Sequence, residues 1–174
     1  MHGRRSIGNR EAQGGGRERT AFPGSAGPAR RSAEGPPVFR VPLDRAVIVD
    51  TTFLIDLERE ISRGQPGPAM ECLARNRAQA MRISVITFGE LAEGWEDPAA
   101  PGFEELVAPF GIVEISRSIG AKYAAISRVL RSSGSRWGDN DLWIGATALE
   151  VGEPLLTRDL DHFSRIPGLT TLGY

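Results

Sequence analysis

Up to about residue 42 the chain shows no apolar periodicity, and from residue 46 it changes character. Ala46-Val47-Ile48-Val49 is an unbroken apolar run of the kind found inside a sheet, and it leads straight into Asp50. Phe53, Leu54, Leu57 and Ile61 then recur at helical spacing, which predicts a helix over 51–61. A second helix is expected over 68–80 behind Pro66-Gly67-Pro68, and "RISVIT" (82–87) reads as a second strand. "FGELAEGW" (88–95) reads as a short helix ending near Asp97-Pro98, followed by another short helix over 101–109. "GIVEIS" (111–116) is a third strand and 117–133 a long helix. After the break at Gly134-Ser135, a helix is expected over 139–152, a strand over 154–159 ("PLLTRD") and a further strand over 168–173. Strands alternating with helices predict an α/β fold with a mostly parallel sheet. In such sheets, ligands bind outside the carboxyl ends of the strands, where the helices begin.

Composition divides the chain in two. Residues 1–45 hold nine Arg against four acids, a balance of +5, so the remainder carries −6 within a whole-chain charge of −1. This arm is rich in Gly, Pro, Arg and Ser and has too little apolar surface to offset its ordering entropy, so it is read as disordered. A basic arm for nucleic acid, an inert tail and a start placed too early all fit its composition. The downstream part, 46–174, is long enough for a domain with a core of its own. No apolar run approaches the roughly 18 residues of a membrane span. No apolar stretch follows Arg4-Arg5 to make a signal peptide, and one cysteine, Cys72, excludes an internal disulfide, so the expected location is cytoplasmic.

The strand-end rule collects four acids. Asp50 follows the first strand and Asp159 ends "PLLTRD"; Glu90 is expected in the first turn after "RISVIT" and Asp141 in the first turn of the 139–152 helix. Each has a local explanation. Asp and Asn are good helix caps, acids favour helix amino termini, and Thr87-Phe88-Gly89-Glu90 matches a capping box. Asp139 or Asn140 can cap the helix that follows, and Asp159 the turn "LDHF". Against this, Thr51 and Thr52 follow Asp50 and can cap in its place, and "GDND" offers three cap-type residues where one suffices. Four carboxylates at one edge repel one another unless a hard cation with oxygen ligands, such as Mg²⁺, compensates them. That pattern suits metal-assisted phosphoryl chemistry. Cys72 reads as a packed thiol, and the chain has neither a Walker A motif nor G-x-G-x-x-G.

Taken together, "VIVDTTFLID", "ISVITFGELAEG" and "GDNDLWIGATALEVGEPLLTRDLDHFSRIPGL" resemble a PIN domain, and more narrowly the VapC toxins of bacterial toxin–antitoxin pairs. The resemblance covers about 46–174, with the motifs in order, and leaves the arm outside. It implies a three-layer α/β/α sandwich and a Mg²⁺-dependent ribonuclease, with Mn²⁺ as a plausible substitute. It puts the family's acids, as catalytic groups and metal ligands, at Asp50, Glu90, Asp141 and Asp159. It also implies an RNA substrate, a homodimer and a cognate VapB-like antitoxin whose tail blocks the metal pole. His162 lies in a stretch that varies in the family; it is read as exposed beside a core anchor, Phe163, and left out of the catalytic set.

An acidic domain needs local positive charge to hold RNA. Arg117, Arg128 and Arg131 share a face of the 117–133 helix opposite Ile119, Tyr123, Ile126 and Leu130, which reads as an ordinary solvated face. Arg136 and Arg158 lie nearer the acids and are better candidates for phosphate contact, while Trp137 can stack on a base or pack under its loop. The alternative function is a non-catalytic PIN module that binds RNA or protein, against which the four intact acids speak. A haloacid-dehalogenase-type phosphatase also starts with an apolar strand ending in Asp, but it needs a second Asp where this chain has Thr52.

Overall fold

The structure is a computed structural model and describes residues 45–132, 134 and 138–174. The arm up to residue 44, together with Arg136 and Trp137, lies outside the described residues.

Five strands form one sheet: β1 (Val47–Val49), β2 (Met81–Ser84), β3 (Gly111–Val113), β4 (Leu155–Leu156) and β5 (Thr171–Leu172). Their spatial order is β3-β2-β1-β4-β5, and every neighbouring pair is parallel. The helices are α1 (Thr51–Arg63), α2 (Pro68–Arg75), α3 (Val85–Glu93), α4 (Pro101–Val107), α5 (Arg117–Ser132), α6 (Asp139–Val151) and α7 (Leu160–Phe163).

Successive strand residues point to opposite faces, and both faces of this sheet are covered. Val47, Val49, Met81, Ile83, Leu156 and Leu172 join one core with Phe53 and Leu57 of α1, Cys72 of α2 and Phe103 of α4. Ile48 and Leu155 join a second core with Ile119 and Ile126 of α5, Ile144 and Ala148 of α6, and Phe163. Two cores on either side of one sheet make the expected three layers. They also explain why β1 has no polar position: its three residues are completely buried.

Gly64 ends α1 in the left-handed conformation (φ 61°), where its amide reaches back to the carbonyls of Glu60 and Ile61. The next helix has no side-chain cap of its own. Glu60 supplies one from α1, its carboxylate accepting from the amides of Gly67, Ala69 and Met70.

Several boundaries depart from the sequence reading. β2 stops at Ser84 and α3 begins at Val85, so Val85-Ile86-Thr87 is helical rather than strand. Ser84 is the cap, accepting from the Thr87 amide at 2.9 Å. α2 ends at Arg75, where Asn76 takes over the last carbonyls through its amide and its side chain, instead of running to residue 80. β3 and β4 are also shorter than expected.

Candidate active site

The strand order places a topological switch between β1 and β4: the chain builds outward from β1 to β2 and β3 on one side, then to β4 and β5 on the other. The crevice at the carboxyl ends of β1 and β4 is where an open parallel sheet takes its ligand. Asp50 stands at that point. Its amide continues the ladder onto Leu156 at 3.0 Å, and its side chain turns in, only 3% exposed.

All of the Asp50 carboxylate's hydrogen bonds come from threonines. Oδ1 accepts from the Thr51 amide at 2.8 Å; Oδ2 accepts from the Thr52 hydroxyl at 2.8 Å and the Thr157 hydroxyl at 2.9 Å. Asp50 is thus the cap of α1 after all, a role the sequence reading gives to the threonines behind it. Burial pushes its carboxyl above the ordinary carboxylate range; the three hydrogen bonds oppose this, and the charge of Asp141 adds to it.

Glu90 is not part of a capping box. With Ser84 as the cap, it sits in the second turn of α3, beyond the orphan amides. Its carboxylate accepts from the Thr51 hydroxyl at 2.5 Å and from the Asn140 side chain at 2.8 Å, tying α3 to α1 and α6. Neither Asp139 nor Asn140 caps α6, whose cap is Gly138. The three polar side chains of "GDND" are engaged elsewhere. Asp139 accepts from the Tyr123 hydroxyl at 3.0 Å, Asn140 holds Glu90, and Asp141 pairs with His162.

Asp141 is half-buried in the first turn of α6. Burial pushes its carboxyl up, His162 opposes that, and the charges of Glu90 and Asp159 add to it. Asp159 lies three residues past β4 and caps α7, accepting from the His162 amide at 3.1 Å; its local explanation as a cap holds. Hydrogen bonds gather the four acids at one edge: Glu90 is held by Thr51, next to Asp50, and by Asn140, next to Asp141, while Asp141 and Asp159 both bond to His162.

Among the described residues, no three His, Cys, Asp or Glu side chains converge on one point. A closed protein cage is therefore absent from them. The donor set suits a cation that keeps much of its water and takes one or two carboxylates, which is how Mg²⁺ is usually held. Burial raises both Asp50 and Asp141, and the charge of Asp141 raises Asp50 further, so these are the two carboxylates such an ion would relieve most.

His162 is the residue that sequence reasoning underrates. Phe163 is a core anchor as expected, 2% exposed, but the neighbouring imidazole turns to the acid edge and its Nε2 lies 3.1 Å from Asp141 Oδ2. Thr51 and Asn140 read as caps only, and Thr157 carries no local signal at all. The arginines of α5 behave as a solvated face: Arg117, Arg128 and Arg131 are exposed while Ile119, Ile126 and Leu130 are buried.

A parallel three-layer sheet with acids at its switch point defines the class, and the particular family follows from comparison. The PIN domain model matches residues 47–169, and the chain belongs to that family. It is 30% identical over 124 residues to the Ribonuclease VapC1 of Methanocaldococcus jannaschii, covering 69% of this chain and 80% of that protein. It is 25% identical over 127 residues to the Ribonuclease VapC1 of Haemophilus influenzae, covering 70% and 92%. The fold is shared with VapBC2 of Rickettsia felis, solved bound to a promoter DNA fragment (TM-score 0.61, 22% identity, 75% of this chain and 99% of that one). It is shared equally with DNA-bound VapBC of Salmonella typhimurium (TM-score 0.60, 23% identity, 74% and 97%).

Proposed function

We propose that this chain is a divalent-metal-dependent endoribonuclease, the toxin of a VapBC-like type II toxin–antitoxin pair. The observation that carries the reading is Asp50: a carboxylate 3% exposed at the switch point, oriented by three threonine contacts and facing the charge of Asp141. Membership of the PIN family and the names of its ribonuclease relatives support it.

Of Asp50, Glu90, Asp141 and Asp159, one or two would hold the ion, Mg²⁺ or in its place Mn²⁺, directly and the others through its waters. When bound, the ion would activate a water and offset the charge that develops on the phosphate. The chain's own part is orientation. Thr52 and Thr157 fix which oxygens of Asp50 remain available, Thr51 and Asn140 hold Glu90, and His162 holds Asp141. A network of this kind keeps the carboxylates in place before substrate arrives. A VapB-like antitoxin that covers the acid edge, a homodimer and a cytoplasmic location complete the reading. Among the described residues, no helix is long and apolar enough to cross a membrane.

The test is cleavage of single-stranded RNA with Mg²⁺ or Mn²⁺, against EDTA and against Asp141→Asn. Cleavage that needs the metal and falls away in the variant is expected. Cleavage indifferent to both would mean that another site, or a contaminant, does the work.

A further inference from the structure

A second polar cluster adjoins the acid edge and takes no part in the scheme above. Asp56 lies on α1 between the core residues Phe53 and Leu57 and is 8% exposed. A carboxylate so placed requires partners, and it draws them from two distant segments. Arg158 forms an ion pair with Asp56 Oδ2, and the Tyr174 hydroxyl donates to the same oxygen at 2.8 Å. Tyr174 is steadied by an edge-on contact with Phe53, ring centroids 4.8 Å apart, and Thr52 and Arg158 lie near enough to oppose the rise that burial gives its hydroxyl. Thr52 is the residue that donates to Asp50. The cluster therefore adjoins the acid edge at Thr52.

The two members of the ion pair differ in exposure. The Asp56 side chain is 11% exposed and that of Arg158 is 63% exposed. A guanidinium carries five N–H donors in a planar fork, more than Asp56 and Tyr174 use. The chain also sets Arg158 between Thr157, which donates to Asp50, and Asp159. Neutralising Asp56 accounts for the ion pair. It does not account for a surface cation braced from beneath at the point where a polyanion would meet four carboxylates. A braced arginine loses little further freedom when it takes a phosphate, and charge-assisted pairs of that kind are strong.

We propose that Arg158 binds a phosphate of the RNA strand beside the acid edge, with Asp56 and Tyr174 as its positioning residues. The proposal rests on the ribonuclease reading and adds the contact that brings the substrate to it.

The experiment compares wild type with Arg158→Gln, Asp56→Asn/Arg158→Gln and Tyr174→Phe. The double variant removes both charges and so does not strand Asp56 if the single variant folds poorly. Binding of a short fluorescent single-stranded RNA is titrated in EDTA over a salt series, and KM and kcat are measured with Mg²⁺. Both Arg158 variants are expected to lower the slope of log affinity against log salt by about 0.7. They are also expected to raise KM about tenfold while changing kcat much less. Tyr174→Phe keeps the charge, so its slope should stay at the wild-type value while KM rises. A double variant with wild-type slope and KM overturns the proposal and leaves the ribonuclease reading standing. A wild-type protein that neither binds nor cleaves RNA overturns both.

Discussion

The two ends of the sheet treat charge in opposite ways. At the amino end, Arg82 of β2 forks onto Glu153, just ahead of β4, with its Nε 3.0 Å from Oε2 and a second contact to Oε1. One cation meets one anion, and the charges cancel locally. At the carboxyl end, Asp50, Glu90, Asp141 and Asp159 share an edge; their hydrogen bonds come from hydroxyls, backbone amides, an amide side chain and one imidazole, and among the described residues no arginine or lysine pairs with them. Apart from the buried Gln79 Oε1 at the amino end, both ends are hydrogen-bonded, but among the described residues the acids of the carboxyl edge lack the arginine partner that Glu153 has. An edge with such an excess of carboxylates is one that a divalent cation would relieve, which supports the proposed metal site. A purely structural edge would look like the amino end.

The largest effect should come from Asp50→Asn. Asparagine still caps a helix, so the fold survives, while cleavage of RNA with Mn²⁺ should drop at least about a hundredfold. Thermal unfolding in EDTA should show a midpoint at or above wild type, since a disfavoured buried charge has gone. A variant cleaving at the wild-type rate would remove the carboxyl edge from the chemistry. Glu90→Gln should come next. Because Glu90 caps nothing, its midpoint in EDTA should barely move while activity falls about tenfold or more; the reverse pattern would make it a structural brace.

The pH dependence sharpens the same contrast. Asp50 and Asp141 both have carboxyls raised above the ordinary 3.8. In the window between that value and the raised ones, the folded state binds more protons than the unfolded, so stability without metal should fall as pH rises through it. Denaturant midpoints in EDTA at several pH values should show this fall in wild type and a shallower one in Asp50→Asn. Identical profiles would mean that Asp50 ionises as freely as in the unfolded chain.

At the amino end, Glu153→Gln should cost only about 1 kcal/mol, because Arg82 is part-exposed and water takes over. Metal-dependent cleavage should be untouched; a large loss there would show the two ends to be coupled. The smallest effect should follow deletion of residues 1–44. Unfolding free energy, cleavage and the salt slope of RNA binding are all expected to stay at wild-type values. A slope several units shallower would make the basic arm part of the RNA-binding surface.

Much of this is legible in the sequence where one pattern has one reading. The Val47–Val49 run, the helical spacing from Phe53 to Leu57 and the parallel architecture need only period and alternation. Val85-Ile86-Thr87 misleads because β-branched residues favour strands, while the Ser84 cap and the packing of α3 override that preference. The strand-end rule finds the acids but not their partners. His162 reaches Asp141 across 21 positions and Thr157 reaches Asp50 across 107, and no local period encodes such contacts. Asp56 does leave a signal, a lone acid on the apolar side of an amphipathic helix, which the search along the strand ends passes over.

Asp50 also constrains how this protein can change over generations. The side chain proposed to hold the ion is also the one that starts α1, so one position carries both duties. A lineage that abandoned cleavage would still need a short oxygen-bearing side chain there, and Asn or Ser would satisfy it where Ala would not. Among descendants of this chain, Asn or Ser at position 50 would therefore mark a retired nuclease that kept its shape, and Ala or Val a fold already failing.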